Sequence, residues 1–399
     1  MQLMVATGVS VINFWAWALV APLAMTYREM MSLSGGQESL LVAAPLLTAT
    51  LGRLIVGPLT DRFGGRIVTA AVCLVSTVPV LAVGAAANSG SYALLLTASL
   101  FLGIPGAAFA AGIPFVSEWY EPDHRGFATG VFGVGMAGTA LSAYLTPLLA
   151  QALGVFATHL LVAVLLAVAA AVSFLAMRNG PYYAPTGSGL LTELKIAGRL
   201  RVTWEMSLLY GVVFGAFVAF SVYLPTYIDT VYRFSAIQAG DRTAVFALVA
   251  VLARPVGGVL ADRIAAKYVV MAALIAMAVL AVAAAFKPPA DLWAGAVFTA
   301  LAAAIGIGTG AVFEWVAWRT PSHSLGAVTG IVSAVGEMGG FFPPMVMTET
   351  YDRVHNNYEV GLLLLAATVL IVCGYTAGWI RAHQSSADPE HAPAEAAAG

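Results

Sequence analysis

The amino-acid sequence predicts an all-α membrane protein with twelve transmembrane helices in two six-helix halves. Composition is the first reason, because 60% of the 399 residues are hydrophobic and only 10% are charged, whereas soluble domains carry about 25% charged residues. The second reason is that apolar stretches of roughly 17 to 25 residues, the length that crosses a bilayer, recur along the chain. The third is that short motifs of the first half return 200 or 201 residues later.

Each apolar stretch predicts one membrane helix, and the stretches are separated by polar loops. The twelve stretches occupy residues 4–25, 38–60, 67–87, 92–116, 126–150, 155–177, 206–228, 238–261, 268–286, 292–317, 324–348 and 357–380. No cleavable signal peptide is expected, because the first stretch contains Trp15 and Trp17, lacks a basic segment before it and leads into further spans.

The longest polar stretch inside the chain separates spans six and seven. It covers residues 178–205 and predicts a cytoplasmic linker between an N-terminal half, 1–177, and a C-terminal half, 206–381. Residues 382–399 are rich in Ala, Pro and Glu and predict a disordered cytoplasmic tail. Parallel six-helix repeats with a substrate site at their interface are an established transporter architecture.

The distribution of Lys and Arg predicts the orientation of the chain. One set of loops carries eleven of them, and the opposite set carries Arg28, Arg233, Arg242, Lys287 and Arg353. The richer set is on the side of both termini and comprises Arg62, Arg66, Arg125, Arg178, Lys195, Arg199, Arg201, Arg263, Lys267, Arg319 and Arg381. The positive-inside rule therefore predicts a multi-pass protein of the cytoplasmic membrane with both termini in the cytoplasm.

Several classes of function are disfavoured by the sequence. Cys73 and Cys373 both fall inside predicted spans, so neither a disulfide framework nor a metal site is indicated. A net charge of −2 without a basic face does not indicate a nucleic-acid partner. No nucleophile with its base and no phosphate-binding loop is recognisable, so we expect no enzyme activity and no cofactor. The expected surroundings are the lipid bilayer, and the expected functional unit is a monomer.

Two arginines lie inside predicted spans, at matching places in the two halves. Arg53 and Arg254 each stand eight residues before an Asp-Arg pair, and 201 residues separate them. A cation near the bilayer centre costs about 2.5 to 3.5 kcal/mol on insertion scales, so such residues usually face a polar interior and serve function. No acidic residue precedes Asp61 and Asp262 in the apolar part of either span. The pair predicts a shared anion site; a structural ion pair or a snorkelling side chain is the alternative.

The loops that follow these two spans carry a recognisable signature. Gly57-x-x-x-Asp61-Arg62-x-Gly64-Gly65-Arg66 resembles the loop motif of the major facilitator superfamily, and Gly258-x-x-x-Asp262-Arg263 is its shorter copy. The resemblance implies the fold of that superfamily. The acids can accept hydrogen bonds from a neighbouring helix N-terminus, and the arginines can anchor the face of the membrane, so Asp61, Arg62, Asp262 and Arg263 are candidate gating residues.

A more specific resemblance, to the nitrate/nitrite porters of the same superfamily, covers nearly the whole chain. It rests on the two arginines, the stretches 103–139 and 306–344 with their glycine-rich signatures, and the segment from Trp204 to Phe217. Glycines let membrane helices approach closely, so packing is the alternative explanation for them. The resemblance implies that Arg53 and Arg254 hold the anion, that Tyr210 contributes a hydroxyl, and that the signatures bring Gly135, Met136 and Gly336 to the site.

The sequence departs from the porters at two positions. The signature of span five usually contains an asparagine, and the nearest match here is Met136. A missing amide removes a donor to the anion, which leaves the preference between nitrate and nitrite open. The signature of span eleven contains Glu337 between glycines.

Aromatic residues of spans one and seven are candidates for the walls of the site. Phe14, Tyr210 and Phe214 are favoured over Trp15, because Trp and Tyr also mark membrane interfaces. Arginine itself suits a flat, weakly hydrated anion, because guanidinium is planar and donates two parallel hydrogen bonds.

Coupling can take two forms. Exchange of nitrate for nitrite moves equal charges and needs no proton site. Import of nitrate alone works against about 2.3 kcal/mol per charge per 100 mV, so symport would need protons and a titratable group. Glu337 and Glu314 are the candidates in the spans, although Glu337 is equally suited to neutralising part of the arginine charge. Glu118 is expected to be a partner in a cytoplasmic gate.

We expect a secondary transporter of nitrate and nitrite that works by alternating access, either as an exchanger or as a nitrate-proton symporter. A small-carboxylate exchanger of the oxalate and formate type, with the same fold, is the second interpretation. Those proteins usually place a Lys in span eleven, which has none here. A membrane-embedded enzyme or a transport-inactive sensor is the interpretation from another class.

Overall fold

The structure is a computed structural model that describes residues 1–290, 292–340, 342–352 and 358–380, without the side chains at 222, 236, 237, 292, 344, 345 and 348. Regular structure in these residues is helical throughout. The helices are α1 Gln2–Trp17, α2 Ala24–Met31, α3 Gly35–Phe63, α4 Gly65–Ser89, α5 Tyr92–Phe101, α6 Phe109–Ser117, α7 Arg125–Gly133, α8 Gly138–Leu153, α9 Val155–Ala176, α10 Leu190–Arg199, α11 Arg201–Tyr232, α12 Ala236–Leu252, α13 Arg254–Arg263, α14 Ala266–Ala285, α15 Leu292–Arg319, α16 Leu325–Met338, α17 Phe342–Glu349 and α18 Glu359–Trp379.

The predicted all-helical membrane class is confirmed. Within the described residues, eleven helical segments are long and apolar enough to cross a membrane, and each overlaps one predicted span. The remaining prediction, 324–348, is covered by α16 and α17, with residue 341 outside the described part. The predicted tail, 382–399, also lies outside the described residues.

Several spans are interrupted at glycine and proline. A 3₁₀ segment, Ile104–Ala108, joins α5 to α6, and another, Val134–Ala137, joins α7 to α8. Span eight is divided between α12 and α13, and Pro255 occupies the first turn of α13. Proline is tolerated there because its missing N–H would be unpaired in any case. The division places Arg254 at the first position of α13.

The polar stretch between the halves contains a helix of its own. Helix α10 lies within 178–205, and α11 begins at Arg201, five residues before the predicted span. Glu205 accepts hydrogen bonds from Arg201 and Arg319, and Thr203 donates to the Ala197 carbonyl. These bonds stabilise the first turn of α11, and the bond from Arg319 joins that turn to the end of α15.

The two halves meet along two seams of bare backbone. In the α3–α16 seam, a Cβ added to Gly57 would lie 2.2 Å from the Gly326 carbonyl oxygen. In the α7–α13 seam, a Cβ added to Gly258 would lie 1.9 Å from the Gly126 carbonyl oxygen. Only residues without a Cβ allow such an approach. Both seams lie between the two arginines and the Asp-Arg loops, so the halves are in contact at that end of the bundle.

Candidate anion site

Arg53 is held by residues of the opposite half. The side chain is 1% exposed. Its Nη1 donates to the Ser333 carbonyl at 2.9 Å, and its Nη2 donates to Glu337 Oε1 at 3.3 Å. Glu337 Oε2 accepts from Thr50 Oγ1 at 2.9 Å. The span of Arg53 supplies no acid, but α16 does, so the structural ion pair that the sequence offered as an alternative exists for this arginine.

Arg254 has a different environment. It is 2% exposed, and its Nη1 donates to Met136 Sδ at 2.8 Å. Its Nε has no hydrogen-bond partner within the described part of the chain, and no carboxylate of that part lies within ion-pair distance. A thioether is a weak acceptor. Arg254 is therefore a buried cation whose charge is not neutralised by the residues that surround it.

A row of aromatic rings connects the two arginines. The guanidinium carbon of Arg53 lies 5.8 Å from the Phe109 ring centre, and Phe109 lies 5.2 Å from Phe313. Phe313 packs edge-on against Tyr210 at 4.6 Å, and Tyr210 stacks on Phe214 at 4.7 Å. The guanidinium carbon of Arg254 lies 5.7 Å from the Phe214 ring centre and 5.7 Å from that of Phe217. The rings form a continuous apolar wall, and cations are attracted to such ring faces.

The predicted glycines and Phe14 take different positions around this wall. Gly336 faces Tyr210, because an added Cβ would lie 1.9 Å from Tyr210 Cδ1. Gly135 instead faces Ser10 of α1, where an added Cβ would lie 2.4 Å from Oγ. Gly133 faces the Arg254 side chain, with an added Cβ 3.0 Å from Arg254 Cδ.

Phe14 is buried behind Phe109, with the two ring centres 6.1 Å apart. Phe14 therefore lies next to Phe109, and Phe109 in turn lies next to Arg53. Four further residues of the site were not predicted from the sequence: Phe109, Phe313, Thr50 and Ser333. Phe109 and Phe313 lie in the symmetry-related spans four and ten, and that placement was the only available signal.

The two loop aspartates cap helices of the opposite half. Asp61 accepts from the backbone N–H groups of Gly326 and Ala327 at 2.6 and 2.7 Å, at the start of α16. Asp262 accepts from Gly126 and Phe127 at 2.7 Å each, at the start of α7. Carboxylates are favoured at helix N-termini by the helix dipole and by the free N–H groups. The four bonds hold the two halves together at the end of the bundle that carries the two Asp-Arg loops, here called the loop end.

Arg62 and Arg263 lie at the surface beside these caps. Both side chains are exposed, and the Arg62 guanidinium carbon lies 5.1 Å from the Phe63 ring centre. Their position fits anchoring at the membrane face, and at the two loops it is the aspartates that bond to the opposite half.

Glu118 lies where the linker crosses the loop end. Its Oε2 accepts from the Gly180 N–H at 3.2 Å, and its carbonyl accepts from the Tyr182 N–H at 3.3 Å. Burial raises the pKa of this carboxyl to about 8, the Gly180 bond opposes that shift, and the nearby Asp61 charge adds to it. Glu118 therefore binds the linker to the N-terminal half.

Glu314 lies at the second of these caps, where Asp262 meets the start of α7, and it does not contact Arg53 or Arg254. It is 2% exposed, and its Cγ would lie 2.8 Å from a Cβ added to Gly126. Its Oε2 has no partner within the described residues. Of the two acids proposed for coupling, only Glu337 contacts an arginine of the site.

Two helical halves with cations buried between them define a membrane transport protein of the kind in which two repeats enclose a central site. The sequence profile of the Major Facilitator Superfamily matches residues 6–344. The chain belongs to that superfamily, which confirms the resemblance of its loop motifs.

Named relatives agree with the narrower resemblance. The chain is 58% identical over 376 residues to the protein named "Probable nitrate/nitrite transporter NarK2" of Mycobacterium tuberculosis (strain ATCC 25618 / H37Rv), covering 94% of this chain and 95% of that protein. It is 33% identical over 360 residues to the "Nitrite extrusion protein" of Bacillus subtilis (strain 168), covering 90% and 89%. The crystal structure of the human organic anion transporter MFSD10 has a TM-score of 0.73 at 17% identity, covers 94% of this chain and 98% of its own, and shows the shared fold.

Proposed function

We propose that this chain transports nitrate and nitrite across the cytoplasmic membrane by alternating access, with Arg53 and Arg254 as the anion ligands. The observation that carries the proposal is that no carboxylate of the described residues pairs with the buried Arg254 guanidinium. A buried cation without a partner costs several kcal/mol in a protein interior, and a bound anion removes that cost. The names of the relatives supply the substrate class.

The chemistry of the site supports a planar monovalent anion. Two guanidinium groups offer paired donors that match flat oxyanions. The rings of Phe109, Phe313, Tyr210 and Phe214 exclude water, which favours a weakly hydrated ion over a strongly hydrated one. With Glu337 ionised, the site carries two positive charges and one negative charge, and this net positive charge attracts an anion.

The two seams are the places where the halves would separate during transport. In the described conformation the halves are closed at the end that carries Asp61 and Asp262, which the positive-inside rule assigns to the cytoplasm. Rocking of one half, 1–177, against the other, 206–381, would break both seams and expose the arginines to the cytoplasm. The linker 178–205 joins the halves throughout, both termini lie in the cytoplasm, and the monomer contains the complete site.

Uptake into sealed vesicles tests the proposal. Purified protein in proteoliposomes is expected to accumulate labelled nitrate when the vesicles contain nitrite or when an acid-outside pH gradient is imposed. Uptake that depends on internal nitrite identifies exchange, and uptake that depends on the gradient identifies proton symport. Transport of formate or oxalate without transport of nitrate or nitrite would replace the proposal by the carboxylate exchanger.

Replacing Met136 by asparagine is expected to tighten nitrate binding about three- to tenfold. An amide can donate to the anion beside Arg254, and one such hydrogen bond contributes about 1 kcal/mol. The measurement is the apparent affinity for nitrate in the uptake assay. Met136→Leu is the matched control, because it keeps the volume without adding a donor. A Met136→Asn protein with the affinity of the leucine variant would show that this position does not contact the anion.

A further inference from the structure

The two seams differ at one symmetry-related position. The offset of 200 residues that relates Gly126 to Gly326 also relates Gly133 to Ser333 and Ala137 to Glu337. Glu337 of α16 therefore corresponds to Ala137, the last residue of the 3₁₀ segment that follows α7. Within the described residues Arg53 has a carboxylate partner and Arg254 has none, and the position that supplies the acid in one half carries an alanine in the other.

Within the described residues, both hydrogen bonds to the Glu337 carboxylate come from the other half of the protein. Arg53 and Thr50 lie three residues apart on α3 and so share one face of that helix. The bonds to them measure 3.3 and 2.9 Å. The ion pair is long compared with the usual 2.7–2.9 Å of a charge-assisted bond. Because the pair crosses the moving seam, separation of the halves must break it.

Few other charged or titratable groups face Glu337. Tyr210 of α11 packs against the preceding glycine, Gly336. On α10, Glu193 accepts from Thr186 beside Asp61, at the other end of α16.

The acidic residues on the remaining neighbours of α16 lie away from Glu337. Glu314 of α15 lies beside Gly126 at the second cap, and Glu349 at the end of α17 is exposed. The residue of α6 next to Arg53 is the apolar Phe109. Arg53 is thus the charged partner of Glu337 within the described residues, with Arg254 beyond the aromatic wall.

We propose that Glu337 is a tethered counter-anion that competes with the transported anion for Arg53, so that anion binding brings a proton onto Glu337. This inference rests on the proposed function. Arg53 Nε has no partner within the described residues, and Glu337 accepts from the neighbouring Nη2. An anion that takes two parallel hydrogen bonds from Nε and Nη2 therefore competes with Glu337 for this guanidinium, and in the proposal it displaces the carboxylate. A buried carboxylate that has lost its cation keeps only the bond from Thr50, which does not offset the cost of its desolvation.

Protonation removes that cost and balances the charges. One proton from the solvent joins a Glu337 carboxylate oxygen and makes a neutral acid, and no other covalent bond changes. The empty site has two cations and one carboxylate. The loaded site has two cations, one bound anion and one neutral acid. The net charge is the same in both, so an anion that enters with this proton moves no net charge against the membrane potential.

Calorimetry of nitrate binding to the purified full-length protein tests the inference. Titrations in two buffers with different ionisation enthalpies give the number of protons taken up for each nitrate bound. We expect uptake approaching one proton, and an affinity that weakens by about tenfold for each pH unit where Glu337 is ionised, the slope that one linked proton gives. Binding of nitrate without proton uptake would overturn the inference, and this readout requires no variant.

Variants locate the proton. Glu337→Gln keeps the shape of the side chain and removes its charge, so we expect binding without proton uptake and at least tenfold tighter than wild type at pH 8. Glu205→Gln is the matched control: it removes another buried carboxylate bonded to arginines, Arg201 and Arg319, and should keep proton uptake. A Glu337→Gln protein that binds more weakly at every pH, or that still takes up the proton, would assign Glu337 a structural role. If wild type binds neither nitrate nor nitrite, the proposed function fails instead.

Discussion

Arg254→Lys is expected to reduce nitrate uptake by roughly ten- to a hundredfold, although the charge is kept. The paired donors of the guanidinium are lost, and a hydrogen bond to a charged group contributes about 1.5 to 3 kcal/mol, where 1.4 kcal/mol is a factor of ten. A lysine ammonium is also more strongly hydrated and holds its water against a weakly hydrated anion. The measurement is the initial rate of labelled nitrate uptake by proteoliposomes that contain equal amounts of protein.

Arg319→Lys provides the matched control. That arginine pairs with Glu205 at the start of α11, and its side chain is 20% exposed. Lysine keeps the positive charge and can keep the ion pair with Glu205, which lies outside the site, so uptake should stay within about twofold of wild type. Near-normal uptake by the Arg254→Lys protein would rule out paired hydrogen bonding as the basis of anion recognition.

Gly258→Ala should abolish transport in either direction. The new methyl group would lie 1.9 Å from the Gly126 carbonyl oxygen, and neither helix can rotate a side chain away, because both contacting groups are backbone. The α7–α13 seam therefore cannot close, and the protein is held open at the loop end. Accessibility of a single cysteine introduced in that seam, measured by the rate of labelling with a membrane-impermeant thiol reagent, should rise at least tenfold.

Gly8→Ala is the corresponding control, since an added Cβ at Gly8 of α1 meets no heavy atom within 4 Å. It changes the same atoms in another membrane helix and should leave uptake and labelling at wild-type values. An active Gly258→Ala protein would mean that the seam opens wider during transport than the described contact implies, and that its closure is not required.

Much of the fold could be predicted because membrane helices can be recognised from the length and composition of apolar stretches. The predicted stretches 38–60 and 67–87 lie within α3 and α4, which extend three and two residues further at each end. The interruptions could not be predicted. Pro105 and Gly106 allow the 3₁₀ segment Ile104–Ala108, yet Pro58 and Pro79 lie inside continuous helices. Packing against neighbouring helices decides between these outcomes, and the local sequence carries no information about that packing.

The candidate site was predictable where symmetry marked it. The repeat of Arg53 at Arg254 indicated two intramembrane cations, which the structure buries, and the glycine signature indicated Gly336, which the structure places against Tyr210. The pairing of Glu337 with Arg53 was beyond the sequence, because it joins residues 284 positions apart. It depends on how α16 is rotated against α3. For the same reason Gly133, and not Gly135, faces Arg254.

The glycine contacts of the two seams also bear on the free energy of closure. Gly57 meets Gly326 and Gly258 meets Gly126 through backbone atoms that are already fixed within helices. Immobilising one long side chain at an interface costs about 0.5 to 1.5 kcal/mol of conformational entropy, and a surface of glycines has no rotamers to lose. Closure of such a surface leaves side-chain freedom nearly unchanged. The open and closed states can then lie close in free energy, which allows a carrier to pass between them repeatedly without an external source of energy at each step.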